Sequence, residues 1–124
     1  NWPSVCIASN GTVWAASVYD GRLRVNVVDR SGRLRWPADA LPDLGPATLQ
    51  QRCPPRLCAP AGRAVAVWQH RGAIFKADVD EVVLGRATPT RICSGTMPDV
   101  AADSAGRIHV VYLADGAVRY LVTE

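Results

Sequence analysis

Four cysteines are the residues of this 124-residue sequence whose type and spacing bear most directly on chemistry: Cys6, Cys53, Cys58 and Cys93. A structural zinc site usually takes two tightly spaced pairs of ligands. Only Cys53 and Cys58 lie close together, and neither histidine is near a cysteine in sequence. An even number of cysteines in a short chain instead favours disulfide bonds and a secreted or otherwise extracytoplasmic location. Reduced, buried thiols are the remaining alternative, and we expect no metal site.

Histidine is the side chain most often used in acid–base catalysis, and the sequence has two. Ser17, His109 and Asp103 could be assembled into a nucleophilic triad on paper. The Gly-x-Ser-x-Gly turn that presents such a serine in many hydrolases is absent from the sequence. His70 and His109 both fall in or next to apolar segments, which is typical of packed side chains. We therefore expect neither histidine to be catalytic.

A pair of carboxylates could support glycoside hydrolysis if one of them had a raised pKa. The bunched residues Asp78, Asp80 and Glu81 follow an apolar segment and are more typical of a solvated turn. The sequence also contains no glycine-rich loop of the kind that cradles phosphates. We predict that the chain is not an enzyme, with no catalytic residue and no cofactor.

Composition and charge exclude two broad classes of partner. The net charge is +3, but the basic residues are almost all arginines spread along the chain, with Lys76 the single lysine. A nucleic-acid-binding surface would need those residues clustered on one face. No apolar run approaches the roughly 18 residues that a membrane span needs. No secretory leader is recognisable at the start, which fits a mature or trimmed chain.

A repeat organises the chain. Each copy has a proline, an apolar residue two positions later and a glycine seven or eight positions later, and the copies start at Pro3, Pro55 and Pro98. A second glycine follows the first by ten residues in every copy: Gly11 and Gly21, Gly62 and Gly72, Gly106 and Gly116. We interpret residues 1–124 as a single repeat domain with units at about 3–52, 53–95 and 96–124.

The segments between paired glycines predict β-strands. They read TVWAASVYD, RAVAVWQHR and RIHVVYLAD, and they are apolar on both alternating faces. Such a strand must be covered on both faces, as in a stack of sheets. No stretch shows a capped helical period, so we predict an all-β fold with two four-stranded blades and one incomplete blade. The fourth strands of the first two units are predicted near 33–36 and 82–93.

Segments such as PDVAADSAGRIHVVYLADGAVRYLV are similar to the blade repeats of secreted bacterial β-propellers, including sialidase-like and lectin propellers. The resemblance covers nearly the whole chain and implies β-propeller-type blades that form part of a ring. Propeller rings have at least four blades, so these units cannot close alone. Open strand edges and apolar faces then invite another protein chain or further copies of this one. A three-sheet β-prism or irregular barrel is the alternative architecture.

The repeat also suggests one of the three ways in which four cysteines can pair. Cys6 and Cys58 each lie three residues after a repeat proline, while Cys53 and Cys93 each lie shortly before the next one. We therefore predict Cys6–Cys53 and Cys58–Cys93 disulfides. Each would tie the first strand of a unit to the exit from its last strand.

Tryptophan and tyrosine are frequent for this chain length: Trp2, Trp14, Trp36, Trp68, Tyr19, Tyr112 and Tyr120. Sugar rings stack on aromatic faces, and lectin propellers place such sites between adjacent blades. The resemblance therefore suggests Trp36, Tyr19 and Arg22 as ligand-binding residues, with Trp36 on a long loop where function concentrates. Trp14, Trp68 and Tyr112 are predicted to be core residues.

Three functions follow from this interpretation. The first is a non-catalytic secreted β-propeller module that associates with another chain, as an interaction or scaffold subunit or as a piece of a larger propeller. The second is a glycan-binding lectin propeller assembled from several copies. The third, weaker alternative is a fragment of a propeller enzyme such as a glycosidase. The missing fourth strand of the last unit favours the first, and Trp36 has no aromatic counterpart near Pro89, which counts against the lectin.

Overall fold

The computed structural model describes residues 3–48 and 54–124. They form three antiparallel β-sheets of four, four and three strands, numbered sheets 1 to 3 along the chain. The prediction of an all-β fold is confirmed in that these residues form antiparallel sheets of four, four and three strands. No sheet closes on itself within the described ranges, and no helix there is long and apolar enough to cross a membrane.

Sheet 1 contains four consecutive strands: β1 Ser4–Ile7, β2 Val13–Tyr19, β3 Arg22–Val28 and β4 Asp43–Pro46. The fourth strand predicted near 33–36 is wrong, because that segment makes a single bridge between Val28 and Leu34. A 3₁₀ turn at Ala38–Ala40 then reverses the chain. The edge position of β3 is taken instead by β4, where Arg22 forms an ion pair with Asp43.

Sheet 2 also has four consecutive strands: β5 Arg56–Cys58, β6 Val65–His70, β7 Ala73–Asp78 and β8 Thr90–Ser94. The strand predicted over 82–93 is correct only at its end, because a short helix α1, Val79–Val83, precedes it. The backbone amide of Glu81 donates to the Asp78 side chain, 3.3 Å away. The carboxylates predicted to form a solvated turn therefore begin a helix, with Asp78 as its N-cap.

Sheet 3 has three strands: β9 Thr96–Ala102, β10 Ile108–Ala114 and β11 Ala117–Thr123. The order is β9-β10-β11, so β11 is an edge strand with no further partner among the described residues. In sheets 1 and 2 the corresponding third strand pairs with a fourth strand. Sheet 3 therefore presents an open row of backbone hydrogen-bonding groups.

A two-residue turn joins the second and third strands of every sheet. In sheet 1 the turn is Asp20-Gly21, with φ angles of 53° and 69°, and in sheet 3 it is Asp115-Gly116, with 52° and 72°. Positive φ at both central residues is the type I′ geometry that matches the twist of a hairpin. This requirement explains the glycine that recurs ten residues after the first one in each unit.

The three sheets pack face to face in chain order. Sheet 1 contributes Trp14, Val25 and Leu23 to a core that it shares with Trp68 and Ala66 of sheet 2, all of them less than 5% exposed. The opposite face of sheet 2 meets sheet 3 through a second core: Cys58, Val65, Val67, Ile74, Ile108 and Val110. Sheet 2 is thus covered on both faces, whereas sheets 1 and 3 each turn one face outward.

Candidate functional site

Of the three residues predicted to bind a ligand, Tyr19 and Arg22 lie side by side and Trp36 lies apart from them. Arg22 lies at the start of β3 and its Nε donates to both oxygens of Asp43, at 3.1 and 2.9 Å. Tyr19 pairs with Arg22 across the hairpin. The backbone of Trp36 is held by Asn26, whose amide nitrogen donates to the Trp36 carbonyl at 3.0 Å. Four residues of strand separate Asn26 from Arg22, a distance of about 13 Å.

Trp36 instead belongs to a packed cluster between sheet 1 and α1. The Arg35 guanidinium lies 5.2 Å from the centre of the Trp36 ring and 5.4 Å from that of Trp14. The same guanidinium is 3.7 Å from an oxygen of Asp80 on α1. This arrangement places a cation between two aromatic faces and beside a carboxylate, which stabilises the contact rather than leaving Trp36 open to a ligand.

Tyr19 does line a cleft, with Arg24 in place of Arg22. The cleft lies on the outer face of sheet 1, has a volume of about 540 Å³, and is lined by Ser17, Tyr19, Arg24, Ala38, Asp39 and Leu41. Arg24 is 3.6 Å from Asp43. Burial opposes ionisation of Asp43, but hydrogen bonds from Arg22 and the Gly45 amide outweigh it and lower the pKa of this carboxyl. Tyr19, Ser17 and Arg24 line this cleft with a phenol, a hydroxyl and a guanidinium that a polar ligand could contact.

The cysteines of sheet 2 are too far apart to bond. Cys58 pairs with Val65 on β6, and Cys93 pairs with Ile74 on β7. Two strands separate β5 from β8, so the two backbones are about 14 Å apart across the sheet alone. A disulfide needs Cα atoms within about 7 Å. Both cysteines are free thiols, and the predicted Cys58–Cys93 bond does not fit this register.

The second predicted bond, Cys6–Cys53, involves a cysteine outside the described residues. Burial raises the pKa of the Cys58 thiol to about 11, and the nearby Cys6 adds to the effect while Arg63 opposes it. Burial also raises the pKa of Cys6. These thiols are protonated and unreactive near neutral pH. No group of three or more potential metal ligands occurs in the described ranges.

A polar network that the sequence did not reveal lies on the outer face of sheet 3. His109 Nε2 is 2.8 Å from Asp103, and its Nδ1 is 2.5 Å from the Tyr120 hydroxyl. Arg107 Nε donates to the same Asp103 oxygen at 2.8 Å. The hydrogen bond with His109 is the main cause that lowers the pKa of Asp103, followed by the Arg107 amide. The Asp103 carboxylate is therefore stabilised as an anion.

The triad drawn from Ser17, His109 and Asp103 is not formed. Ser17 lies on the outer face of sheet 1 and His109 on that of sheet 3, with sheet 2 between them. Packed sheets are about 10 Å apart, so the two side chains, which point outward from opposite sides of the stack, are more than about 20 Å from each other. The pairing of His109 with Asp103 could have been suspected only from their spacing across the tight Gly106 turn. His70 has a separate environment, 3.4 Å from the Thr48 hydroxyl.

Much of the remainder of that outer face is apolar, and Asp99 lies beside Val111 on it. Its exposed side chains come from β10 and β11: Val111 43%, Leu113 39%, Val118 73%, Tyr120 59% and Val122 44%. On the inner face of the same sheet, Ile108 and Val110 are fully buried. A contiguous apolar surface of this kind is typical of a protein–protein interface. It is the candidate functional site of the chain.

Comparison with protein-family models gives no match, and comparison with curated proteins gives no significant match.

Proposed function

We propose that this chain is a non-catalytic secreted module of propeller-type blades that forms part of a ring and associates with another polypeptide through the outer face of sheet 3. The observation that carries this proposal is the apolar surface around Val111, Val118 and Val122, each at least 43% exposed. Burying such a side chain from this level of exposure gives about 1 kcal/mol. Five neighbouring side chains of this kind favour association over exposure to water.

The open edge of sheet 3 adds a directional component to the interface. The backbone groups along β11 at Ala117–Tyr120 correspond to the part of β7 that pairs with β8 in sheet 2. A partner that supplied a strand there would complete the sheet by β-augmentation. Lys76 of sheet 2 donates to Thr123 at 2.9 Å, which fixes the far end of β11 against the neighbouring sheet. The edge is therefore held in place for pairing.

A native mass measurement on the chain isolated under gentle conditions from the cells that produce it tests this proposal. We expect a mass above the 13.3 kDa of one chain. Val118→Arg should reduce the associated fraction, since it places a charge on the apolar face. Leu84→Arg is the matched control, because Leu84 follows α1, is 61% exposed and lies off that face. A 13.3 kDa species in every preparation would contradict the proposal.

Glycan binding is a second candidate, favoured by the cleft on sheet 1. Tyr19 offers an aromatic face that is 64% exposed, while Arg24 and Ser17 can hydrogen-bond sugar hydroxyls. A glycan array followed by titration calorimetry tests it, with Tyr19→Ala and Arg24→Ala expected to abolish any signal. Trp36→Phe should leave binding unchanged, because Trp36 packs against Arg35 rather than lining the cleft.

A further inference from the structure

Each sheet has two faces, and the repeat assigns a fixed set of positions to each. We define the leading face of a unit by the residues three, five and seven positions after its first glycine. In sheets 1 and 2 these residues pack against the next sheet and are almost fully buried: Trp14 4%, Ala16 2%, Val18 3%, Val65 1%, Val67 0% and Gln69 5% exposed. Gln69 also accepts a hydrogen bond from the Met97 amide of sheet 3, at 2.6 Å.

The leading face of sheet 3 occupies the same positions but is open. Its members are His109, Val111 and Leu113, and the latter two are 43% and 39% exposed. The third strand follows the same rule: Val118 corresponds to Leu23 by its position after the second glycine. Leu23 is fully buried against sheet 2, whereas Val118 is 73% exposed. Sheet 3 therefore keeps the packing surface of sheets 1 and 2, and no sheet formed by residues 3–48 or 54–124 covers it.

The opposite face of each sheet shows the converse pattern. We define the trailing face by the residue two positions after the repeat proline and the residues two and four positions after the first glycine. In sheets 2 and 3 these residues pack against the preceding sheet: Leu57, Ala64, Ala66, Val100, Ile108 and Val110. In sheet 1 the equivalent of Leu57 is Val5, which is 62% exposed, while the other two positions, Val13 and Ala15, are half-buried.

We propose that the leading face of sheet 3 packs on the trailing face of sheet 1 of a second copy of this chain, and that two copies close into a ring of six sheets. The inference rests on the proposed function and names its partner. The new contact would use the same repeat positions as the two sheet–sheet contacts within the chain, and it would also cover the cleft on sheet 1 that Ser17, Tyr19 and Arg24 line. Propellers have typically four to eight blades. The three described sheets of two copies make six, which lies within this range, whereas those of three copies would make nine.

The test begins with the mass of the purified chain, by native mass spectrometry and by light scattering at tens of micromolar. We expect twice 13.3 kDa. Val111→Arg on the leading face and Val5→Arg on the trailing face should each give a monomer. Each substitution places one altered residue in each of the two interfaces of the ring. The dimer dissociation constant should therefore rise by about 100-fold, about tenfold for each interface. Leu84→Arg should remain dimeric, and circular dichroism confirms that each variant is folded.

Mixing the two variants provides a readout specific to a head-to-tail contact. For this test Val5→Glu replaces Val5→Arg: a Val111→Arg chain keeps an intact trailing face, and a Val5→Glu chain keeps an intact leading face. One of the two interfaces in their heterodimer is therefore unaltered on both sides, and the other brings two introduced side chains of opposite charge into the same contact. With one variant isotopically labelled, native mass spectrometry should detect the heterodimer at concentrations where each variant alone is monomeric.

Several outcomes overturn the inference without touching the proposed function. A dimer that Val111→Arg disrupts and Val5→Arg leaves intact would mean that sheet 3 packs on sheet 3. A purified chain that is monomeric, yet gains mass only with a different polypeptide, would identify a hetero-assembly. Failure of the mixed variants to associate would also exclude the head-to-tail ring. A monomer in every preparation would overturn both the inference and the proposed function.

Discussion

Gly95 lies where the chain passes from sheet 2 to sheet 3, and replacing it with alanine is the sharpest test of how these two sheets are packed. A methyl group added there would lie 2.7 Å from the Tyr112 ring and 2.8 Å from the Leu113 carbonyl oxygen. Both distances are shorter than van der Waals contact, and one of them involves backbone that cannot rotate away. The φ angle of Gly95, +149°, is also unfavourable for alanine.

The expected cost has two parts. Alanine at positive φ costs about 1–2 kcal/mol, and the crowding of Tyr112 and Leu113 adds about 1–3 kcal/mol. Gly116→Ala is the matched control, since Gly116 has a φ of +72° and no atom within 4 Å of the added methyl. It should show the first cost alone. The difference between the two variants therefore combines the crowding of Gly95 against β10 with the greater strain of alanine at a φ of +149° than at +72°.

Urea and thermal unfolding measure both variants against the parent chain. At about 4 °C per kcal/mol for a domain of this size, Gly116→Ala should lower the melting temperature by about 4–8 °C. Gly95→Ala should lower it by about 8–20 °C. Equal losses of stability in the two variants would refute the close approach of Tyr112 and Leu113 to Gly95.

Three further predictions concern side chains described above. Arg35→Ala should destabilise the fold by about 1–2 kcal/mol in urea unfolding through loss of the cation–aromatic contacts, and Arg35→Lys should recover part of it; no loss would contradict the cluster. The pKa of Asp103 is lower in the fold than in the unfolded chain, so its stabilising effect holds above the unfolded value and is lost as pH falls. In a plot of the urea unfolding midpoint against pH, Asp103→Asn should reduce the fall at acid pH. An unchanged fall would exclude this effect. The pKa of Cys58 rises from 9.0 to about 11, so its contribution is present below pH 9 and lost as pH rises toward 11. Cys58→Ser should reduce the loss of stability at alkaline pH. Rapid labelling of Cys58 itself in the native chain at pH 8, located by peptide mapping, would contradict its burial.

The β-strand content could be predicted because the signals are local. The pairs Asp20-Gly21 and Asp115-Gly116 specify two-residue turns, and the apolar segments before them specify strands covered on both faces. The three predicted segments contain β2, β6 and β10. A strand at the edge of a sheet has no such signature, which is why the predicted 33–36 strand was wrong and β4 begins at Asp43.

Helix α1 shows a different limit of sequence interpretation. Its five residues are too few for a helical period to be visible. The capping signal was present all the same, since Asp78 and Glu81 stand three residues apart at its start. The sequence also did not indicate that Trp36 lies apart from Tyr19 and Arg22. Trp36 is sequestered by Arg35, its immediate neighbour, and a cation–aromatic contact of this kind depends on side-chain directions that spacing does not specify.

The central position of sheet 2 has a consequence for how the molecule opens and exchanges. Val65, Ala66, Val67, Trp68 and Gln69 of β6 are each no more than 5% exposed. A stack in which each sheet contacts only its neighbours has a stability that is approximately a sum of nearest-neighbour terms. In the monomeric Val111→Arg chain, amide hydrogen exchange should therefore be slowest in β6 and progressively faster in β1 and β11, so that the outer sheets detach while the centre stays protected. Sheet 2 should therefore be the last to unfold, and destabilising substitutions within it should unfold all three sheets together.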